Sequence, residues 1–523
     1  MNKIIDNFYH GYNKTVALAP KILVIALILF VVIYPDSAGQ KLLAAQNWST
    51  ETFGGWYIYV SLFYVVCCLS LGLFNKTGKI KLGKENEHPE FTTLSWLSMM
   101  FGAGIGIGML TYSTAEPIFH FANNPDTITG VSSALKENNV RNAYKWAIFH
   151  YALHTWCIYG IIGISLAYFS YNRGMPLTIR SGLEPIFGKF MSGGLGNMTD
   201  IVSILATLVG LGVTIGYGVS QFSSGLFNIT GIEWLIDNEG RPSLTGQVFG
   251  LVLIMTISCV SAFTGIRKGI KWLSNINMGL SLLLLLFFVF FGATLFALKN
   301  FLVTIWDYVI SFPEMAISVW KNDGTEVSLN LQKWQSAWSI FYWAWWIAFA
   351  PFVGLFLARV SRGRTIREYI MGAIFIPSLI SLFWFSFVGG TAIDLELSGV
   401  AQGAIVNADI SAQLFQTINL FMNPTMAISL SVLVVILLIT FLVTSADSGI
   451  LVMNTLASGG NTKKRELKHI IIWGLLFSIM IAVLLMAGGM DSLRSVMIIG
   501  ALPFSLILAL MPVALIKTIL QNR

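Results

Sequence analysis

Two aromatic-rich stretches carry the clearest chemical signal in this 523-residue chain. One reads FHYALHTWCIYG and places Tyr151, Trp156 and Tyr159 within one broad face of a helix turning about 100° per residue. The other reads WQSAWSIFYWAWWIAFAPF. In it Trp338, Phe341, Trp345, Phe349 and Phe352 recur at three- and four-residue steps along one stripe, with Trp346 beside Phe349. An aromatic face carries a negative quadrupole, and several faces set as a box hold a methylated ammonium, which ordinary hydrogen bonds cannot grip. The same pattern serves core packing or an interfacial belt. Its mid-span position speaks against a belt and leaves packing and a cation box both open.

A third stretch, GAGIGIG (102–108), alternates four glycines with small or aliphatic residues inside an apolar run. Each glycine costs about 1 kcal/mol of helix propensity relative to alanine. Close helix packing at small-xxx-small spacing needs fewer of them. The run therefore predicts an unwound segment with exposed carbonyls. A second interruption, Pro351, falls inside the other aromatic stretch. The two interrupted spans lie five spans apart, and an odd offset gives them opposite topology. That is the layout of inverted-repeat transporters, whose broken helices flank the binding site.

The elements that must position these residues are membrane spans. Hydrophobic residues make up 55% of the chain and charged residues 11%, and the mean hydropathy is +0.73, which excludes a soluble domain of this length. About twelve apolar runs reach membrane-crossing length: 21–36, 54–75, 94–120, 142–172, 196–226, 245–265, 272–298, 331–359, 368–391, 424–457, 469–488 and 493–517. The fold class expected is an all-α membrane protein embedded in a lipid bilayer. The net charge of +7 is no nucleic-acid footprint, because Lys and Arg lie mostly between apolar runs. Most of them cluster on one side if both termini are cytoplasmic, notably at 76–84, 267–271, 359–367 and 463–468. No cleavable signal peptide is expected, since the first apolar run lacks a small-residue cleavage site. Cys67, Cys68, Cys157 and Cys259 sit in apolar runs and are expected as free thiols. Residues 300–330, with Asp307, Pro313 and Glu314, read as an amphipathic surface helix followed by an outer loop. Residues 392–423 lack Lys and Arg and suit an outer loop with a short re-entrant helix.

Other polar residues point elsewhere with less force. His150 and His154 have the i, i+4 spacing of a zinc pair, but no third ligand stands nearby in sequence. Glu116 and Asp447 are acids within apolar runs, functional suspects by cost alone, and are assigned structural or gating roles, with Glu116, which precedes Pro117, having the alternative of holding a helix end together. No nucleophile–base pairing or phosphate loop suggests an enzyme. A channel is the better rival, because carbonyl and aromatic linings also serve conduction.

Several motifs together resemble the betaine/choline/carnitine transporter family: the glycine run followed by TAEP (114–117), HxxLHxWxIY (150–159), SIFYWAWWIAFAPFVGLFLARVSRGRTIREYI, and FLVTSADS (441–448). They span residues 98 to 448 in family order. The resemblance implies a trimer of twelve-span protomers, each with a five-helix inverted-repeat core in spans 3–7 and 8–12. The chain then divides into an N-tail with two peripheral spans (1–93), a first repeat (94–299), the surface helix and loop (300–330), a second repeat (331–518) and a short tail (519–523). It implies a cation box of Tyr151, Trp156, Tyr159, Trp346 and Phe349, with Trp345 nearby and Trp338 and Phe341 as an outer aromatic gate. Tyr151 and Phe349 stand where many members have Trp, and Thr155 where many have Pro, so the methylated amine is open in size and shape.

The resemblance also implies sodium as the coupling ion, a hard cation suited to oxygen ligands. The carbonyls of Gly102, Ile105 and Phe441 and the hydroxyls of Thr444 and Ser445 would hold it. Thr207, Phe352 and, in place of Leu211, Thr214 would form a second sodium position. Both hydroxyls of the first site also have a plain alternative in bonding back to their own helix. The span 201–222 holds no charged residue, whereas family exchangers carry an arginine that imitates the ion. Symport into the cytoplasm across a bacterial inner membrane is the expected activity, with glycine betaine the default substrate. Choline, carnitine, a sulfonium analogue and trimethylamine are the other ligands in view. With the chain stopping soon after its last span, uptake is expected without hyperosmotic activation.

Overall fold

The computed structural model describes residues 8–104, 106–264, 267–461 and 466–521. Helices account for nearly all regular structure, and the described residues add only two isolated β-bridges, Lys81 with Thr365 and Ile236 with Pro242. Ten helices among the described residues are long and apolar enough to cross a membrane. In chain order the elements are α1 (Lys14–Ile33), α2 (Pro35–Leu73), α3 (Thr93–Gly104), α4 (Ile107–Ala122), α5 (Val140–Tyr151), α6 (Leu153–Ala167), α7 (Gly194–Thr230) and α8 (Leu244–Thr264). They continue with α9 (Arg267–Phe291), α10 (Thr294–Ile317), α11 (Glu326–Val360), α12 (Ile366–Leu397), α13 (Gln413–Phe421), α14 (Pro424–Ala457) and α15 (Leu467–Gln521).

The difference between ten helices and twelve predicted spans has a physical source. The third predicted span is divided between α3 and α4, each too short alone, the seventh keeps only the shorter apolar run Asn275–Phe291, and α10, expected on the surface, is itself long and apolar enough to count among the ten. The last two predicted spans run together as α15, broken at Gly488 and at Gly489, whose φ of +63° is the left-handed region that glycine adopts without a Cβ penalty. The tail expected at 519–523 begins inside this helix.

The surface helix begins earlier than the sequence suggests. The helix before it stops at Phe291 rather than 298, and α10 starts at Thr294. The turn falls at Gly292 because the chain there has no room for a side chain. A Cβ would lie 2.3 Å from Thr391 Oγ1 and 2.6 Å from the Phe288 carbonyl. Along α10, Asn300, Thr304 and Tyr308 are buried at four-residue intervals, while Leu295, Leu302, Trp306 and Val309 are exposed. An inward polar face and an outward apolar one suit a helix lying against lipid. Arg141 pairs with Asp307 to tie it to α5. In the following loop Asp323 accepts from the hydroxyls of Ser328 and Thr325, which holds its carboxyl down at about 2. Of the segment 392–423, residues 392–397 are the end of α12, and the turns that follow lead into the short helix α13.

Helix α7 is the hub that positions the site. It packs against α4, α11, α14 and α15, and α11 packs in turn against α6 and α15. At Gly210 the contact with α11 is tight, since a Cβ would sit 3.1 Å from the backbone of Ala348 and Phe349.

Candidate functional site: an aromatic box between two broken helices

The glycine run does interrupt its span, over less of its length than the sequence suggests. Gly102 and Gly104 are helical residues of α3, and Gly106 leaves the helical region (φ −161°, ψ −116°) before α4 begins. Ile105, one of the expected sodium ligands, lies outside the described residues. Beyond the break, Gly108 faces the aromatic stretches. A Cβ there would lie 3.7 Å from Tyr151 Oη, 3.8 Å from Trp346 and 3.9 Å from Trp345. These are ordinary contact distances, so Gly108→Ala should fold normally. Its methyl group would narrow the space between three rings, and the expected outcome is a raised KM for the transported amine, read from uptake kinetics, with an unchanged unfolding temperature.

A second break was not legible in the sequence. The span holding FHYALHTWCIYG is two helices, α5 and α6, separated at Ala152 (φ −102°, ψ −123°). A continuous face therefore does not relate Tyr151 to Trp156 and Tyr159. The break frees carbonyls that side chains satisfy: His150 O accepts from Trp346 Nε1 at 3.0 Å and from Thr155 Oγ1 at 2.5 Å, and Tyr151 O accepts from Trp156 Nε1 at 3.2 Å. Buried carbonyls need partners. Here two of the three donors are indoles, Trp346 of the box and Trp156 behind it, so the bend and the box fix each other.

Helix α11 remains helical through Pro351. Its irregularity is a π-turn at Ser336–Ile340, which lies at the outer gate residues and aims Trp338 at Phe119 (4.4 Å) and His120 (4.7 Å). Inward of it, Trp345 and Trp346 stack at 5.0 Å and 11°. Tyr151 meets Trp346 edge-on at 5.4 Å, and Tyr159 meets Trp346 at 6.1 Å and Phe349 at 6.4 Å. Thus Tyr151, Tyr159, Trp345, Trp346 and Phe349 converge, all buried. Trp156 stands behind them, against Tyr159 at 5.9 Å. Sequence reasoning missed Tyr342, which stacks on Trp346 at 5.5 Å, and Tyr112 and Tyr217, which meet each other at 5.3 Å and reach Trp345 at 6.1 and 5.6 Å. Tyr342 was legible as the residue four before Trp346. Tyr112 and Tyr217 come from other helices, and no spacing rule reaches them.

Glu116 lies in the middle of α4 and does not hold a helix end. Its Oε2 accepts from Tyr342 Oη at 2.6 Å, and its Oε1 lies 2.5 Å from His150 Nδ1 and 3.2 Å from His120 Nε2. His150 Nε2 in turn lies 2.9 Å from Ser339 Oγ. The bend at Ala152 separates His150 from His154, which stacks on Trp343 at 4.4 Å, so the two histidines do not share the helix face that a zinc pair needs. Tyr342 Oη accepts from Tyr151 Oη at 3.3 Å. A carboxylate with three polar neighbours thus links α4, α5 and α11 immediately beside the box. Asp447 accepts from Ser261 Oγ at 2.7 Å, joining α14 to α8.

Phe441 packs its ring on the break, 3.4 Å from where a Gly106 Cβ would be, which puts the start of FLVTSADS beside the glycine run. Thr444 Oγ1 donates to the carbonyls of Thr440 and Phe441, both at 3.0 Å, and Ser445 is half-buried one residue on. Thr207 Oγ1 donates to Ser203 O at 2.8 Å. Thr214, two turns away, donates to Gly210 O and accepts from Trp345 Nε1 at 3.2 Å, so it braces the box. Phe352 packs on Phe349 at 5.1 Å.

A family model described as BCCT, betaine/carnitine/choline family transporter, matches residues 15–523. The chain belongs to this family. Over 499 residues it is 37% identical to the glycine betaine transporter OpuD of Bacillus subtilis, covering 95% of this chain and 93% of that one. It is 36% identical over 504 residues to the osmo-independent choline transporter BetT1 of Acinetobacter baylyi, covering 94% and 91%. A glycine betaine transporter of the same organism is 34% identical over 505 residues, covering 95% and 72%. The motif-based resemblance is thereby confirmed across nearly the whole length. This betaine/carnitine/choline family member is a multi-pass membrane transporter and not an enzyme.

Proposed function

We propose that this family member imports a methylated ammonium compound by sodium symport and holds it in the box of Tyr151, Tyr159, Trp345, Trp346 and Phe349. The observation that carries the substrate class is the convergence of these rings, from three helices, at the point where Gly108 presents bare backbone. A ring lining with no charged side chain in it suits a cation that cannot donate hydrogen bonds. The relatives' names, glycine betaine and choline transporters, support the same class. The helix break at Gly106 lying against Phe441 supports the ion assignment, because freed carbonyls and the Thr444 and Ser445 hydroxyls are hard oxygen donors. On this reading α3–α9 and α11–α15 form the two inverted repeats, and both termini are cytoplasmic.

The test is uptake into proteoliposomes of glycine betaine, choline, carnitine and trimethylamine, with and without an inward sodium gradient. Sodium-driven accumulation of one compound is the expected result. Accumulation that ignores sodium, or that requires preloaded substrate, would make the chain an exchanger. Thr444→Ala should raise the sodium concentration for half-maximal uptake about tenfold, the scale of one polar contact to a charged group. An unchanged sodium dependence would return Thr444 to a purely helical role.

A further inference from the structure

Arg494, on α15, places a guanidinium at the Phe341 end of the ring path. Its Cζ stands 4.3 Å over the face of Phe341, and its Nη2 donates to Ala337 O at 2.9 Å, a carbonyl of the π-turn. Its Nε is buried and without a hydrogen-bond partner. Its acidic neighbour Asp491 lies 3.9 Å from Nη1 and is 78% exposed, a surface pair that is easily exchanged. From Phe341 the rings continue without interruption to Trp345 (5.4 Å) and on to Trp346 (5.0 Å), with Tyr217 alongside at 6.5 Å. The buried acid Glu116 is already occupied, since both its oxygens are taken by Tyr342, His150 and His120.

An arginine within a membrane protein is costly and faces a functional path or a polar partner. Its planar fork is matched to a carboxylate, which it binds through two parallel hydrogen bonds. The same charge repels a ligand whose only charge is positive. We propose that Arg494, with Phe341 and Tyr217, forms an outer binding site for the carboxylate end of a methylated amino acid, so that this transporter prefers zwitterionic, betaine-type substrates to net-cationic ones such as choline. The inference rests on the reading of the inner rings as a methylated-ammonium box. At this outer site the carboxylate would meet Arg494 and the methylated ammonium the faces of Phe341 and Tyr217, with the inner rings next along the path.

The experiment compares wild type, Arg494→Gln and Arg494→Lys in proteoliposomes, measuring initial uptake rates over a concentration series of glycine betaine and of choline under one ion gradient. Thermal unfolding in detergent is measured alongside. Arg494→Gln should raise the glycine betaine KM about tenfold or more, the scale of a lost charge-assisted contact, and leave the choline KM unchanged or lower it. Arg494→Lys keeps the charge without the fork, so it should fall between the two and preserve the fold if Gln does not. Equal changes for both substrates would show a guanidinium that merely ties α15 to the π-turn and would overturn the proposal. A wild type that takes up choline but no carboxylate-bearing compound would overturn it while leaving the proposed function standing. Uptake of none of the methylated amines would overturn the functional reading and this inference with it.

Discussion

Replacing Trp346 by alanine should abolish measurable uptake at micromolar concentrations of the methylated amine. The ring is the one surface shared by Tyr151, Tyr159, Trp345 and Tyr342. A desolvated cation on an aromatic face gains about 2 kcal/mol or more. Losing that face alone raises KM about 30-fold, and the neighbours left without support lose further alignment. The indole also donates to His150 O at the Ala152 bend. Trp346→Ala therefore removes a ring face and, at once, one of the two hydrogen bonds to His150 O, leaving only that of Thr155 at the bend.

Trp346→Phe separates these two losses. It keeps an aromatic face and forfeits the N–H, so KM should rise less than tenfold while the unfolding temperature falls. Uptake kinetics and thermal unfolding of the purified protein read both quantities. Full-strength uptake by Trp346→Ala at unchanged KM would remove the box as the substrate site. Trp345 makes a useful contrast, because its Nε1 donates to Thr214 on α7 and not to the bend. Its loss should loosen α7 from α11 and affect transport with little change in the α5–α6 junction.

What the residues disclosed in advance divides along a physical line. Apolar run length and the glycine run gave the spans and the third-span break, because both are local properties of the chain. The rings of α11 were legible because a continuous helix converts spacing into direction, and α11 stays helical through Pro351. The break at Ala152 was hidden, since Tyr151-Ala152-Leu153 contains no helix breaker. Tertiary bonds from Trp346, Thr155 and Trp156 hold that bend, and no local signal announces them. For the same reason the bond from Trp345 Nε1 to Thr214 was not legible, since the two residues come from different helices. The π-turn at Ser336–Ile340 and the Arg494 side chain that reaches it are equally non-local. Glu116 drew attention by its cost, but its role required seeing that residues 34 and 226 positions away meet it.

Glu116→Ala should be among the most destabilising single changes in the bundle. It leaves Tyr342 Oη, His150 Nδ1 and His120 Nε2 facing an empty buried volume. Leaving a buried donor or acceptor unsatisfied costs about 1–3 kcal/mol per group, so the purified protein should unfold at a clearly lower temperature. Glu116→Gln is the sharper probe. Its amide retains an oxygen for the histidine side but can present N–H to Tyr342, which then no longer has an acceptor there. The Tyr342 hydroxyl must turn to its other neighbour, Tyr151 Oη, at 3.3 Å, and Tyr151 also donates to Gly108 O at 3.3 Å. A change at a residue outside the box would thereby rearrange the hydroxyl edge of the box itself. The expected signature is a largely preserved unfolding temperature with a raised KM. Phe substitution at Tyr342 should produce the same KM shift and should not add to it in the double variant, since both act through one hydrogen bond. Full additivity of Glu116→Gln and Tyr342→Phe would mean that the carboxylate reaches the substrate by another route.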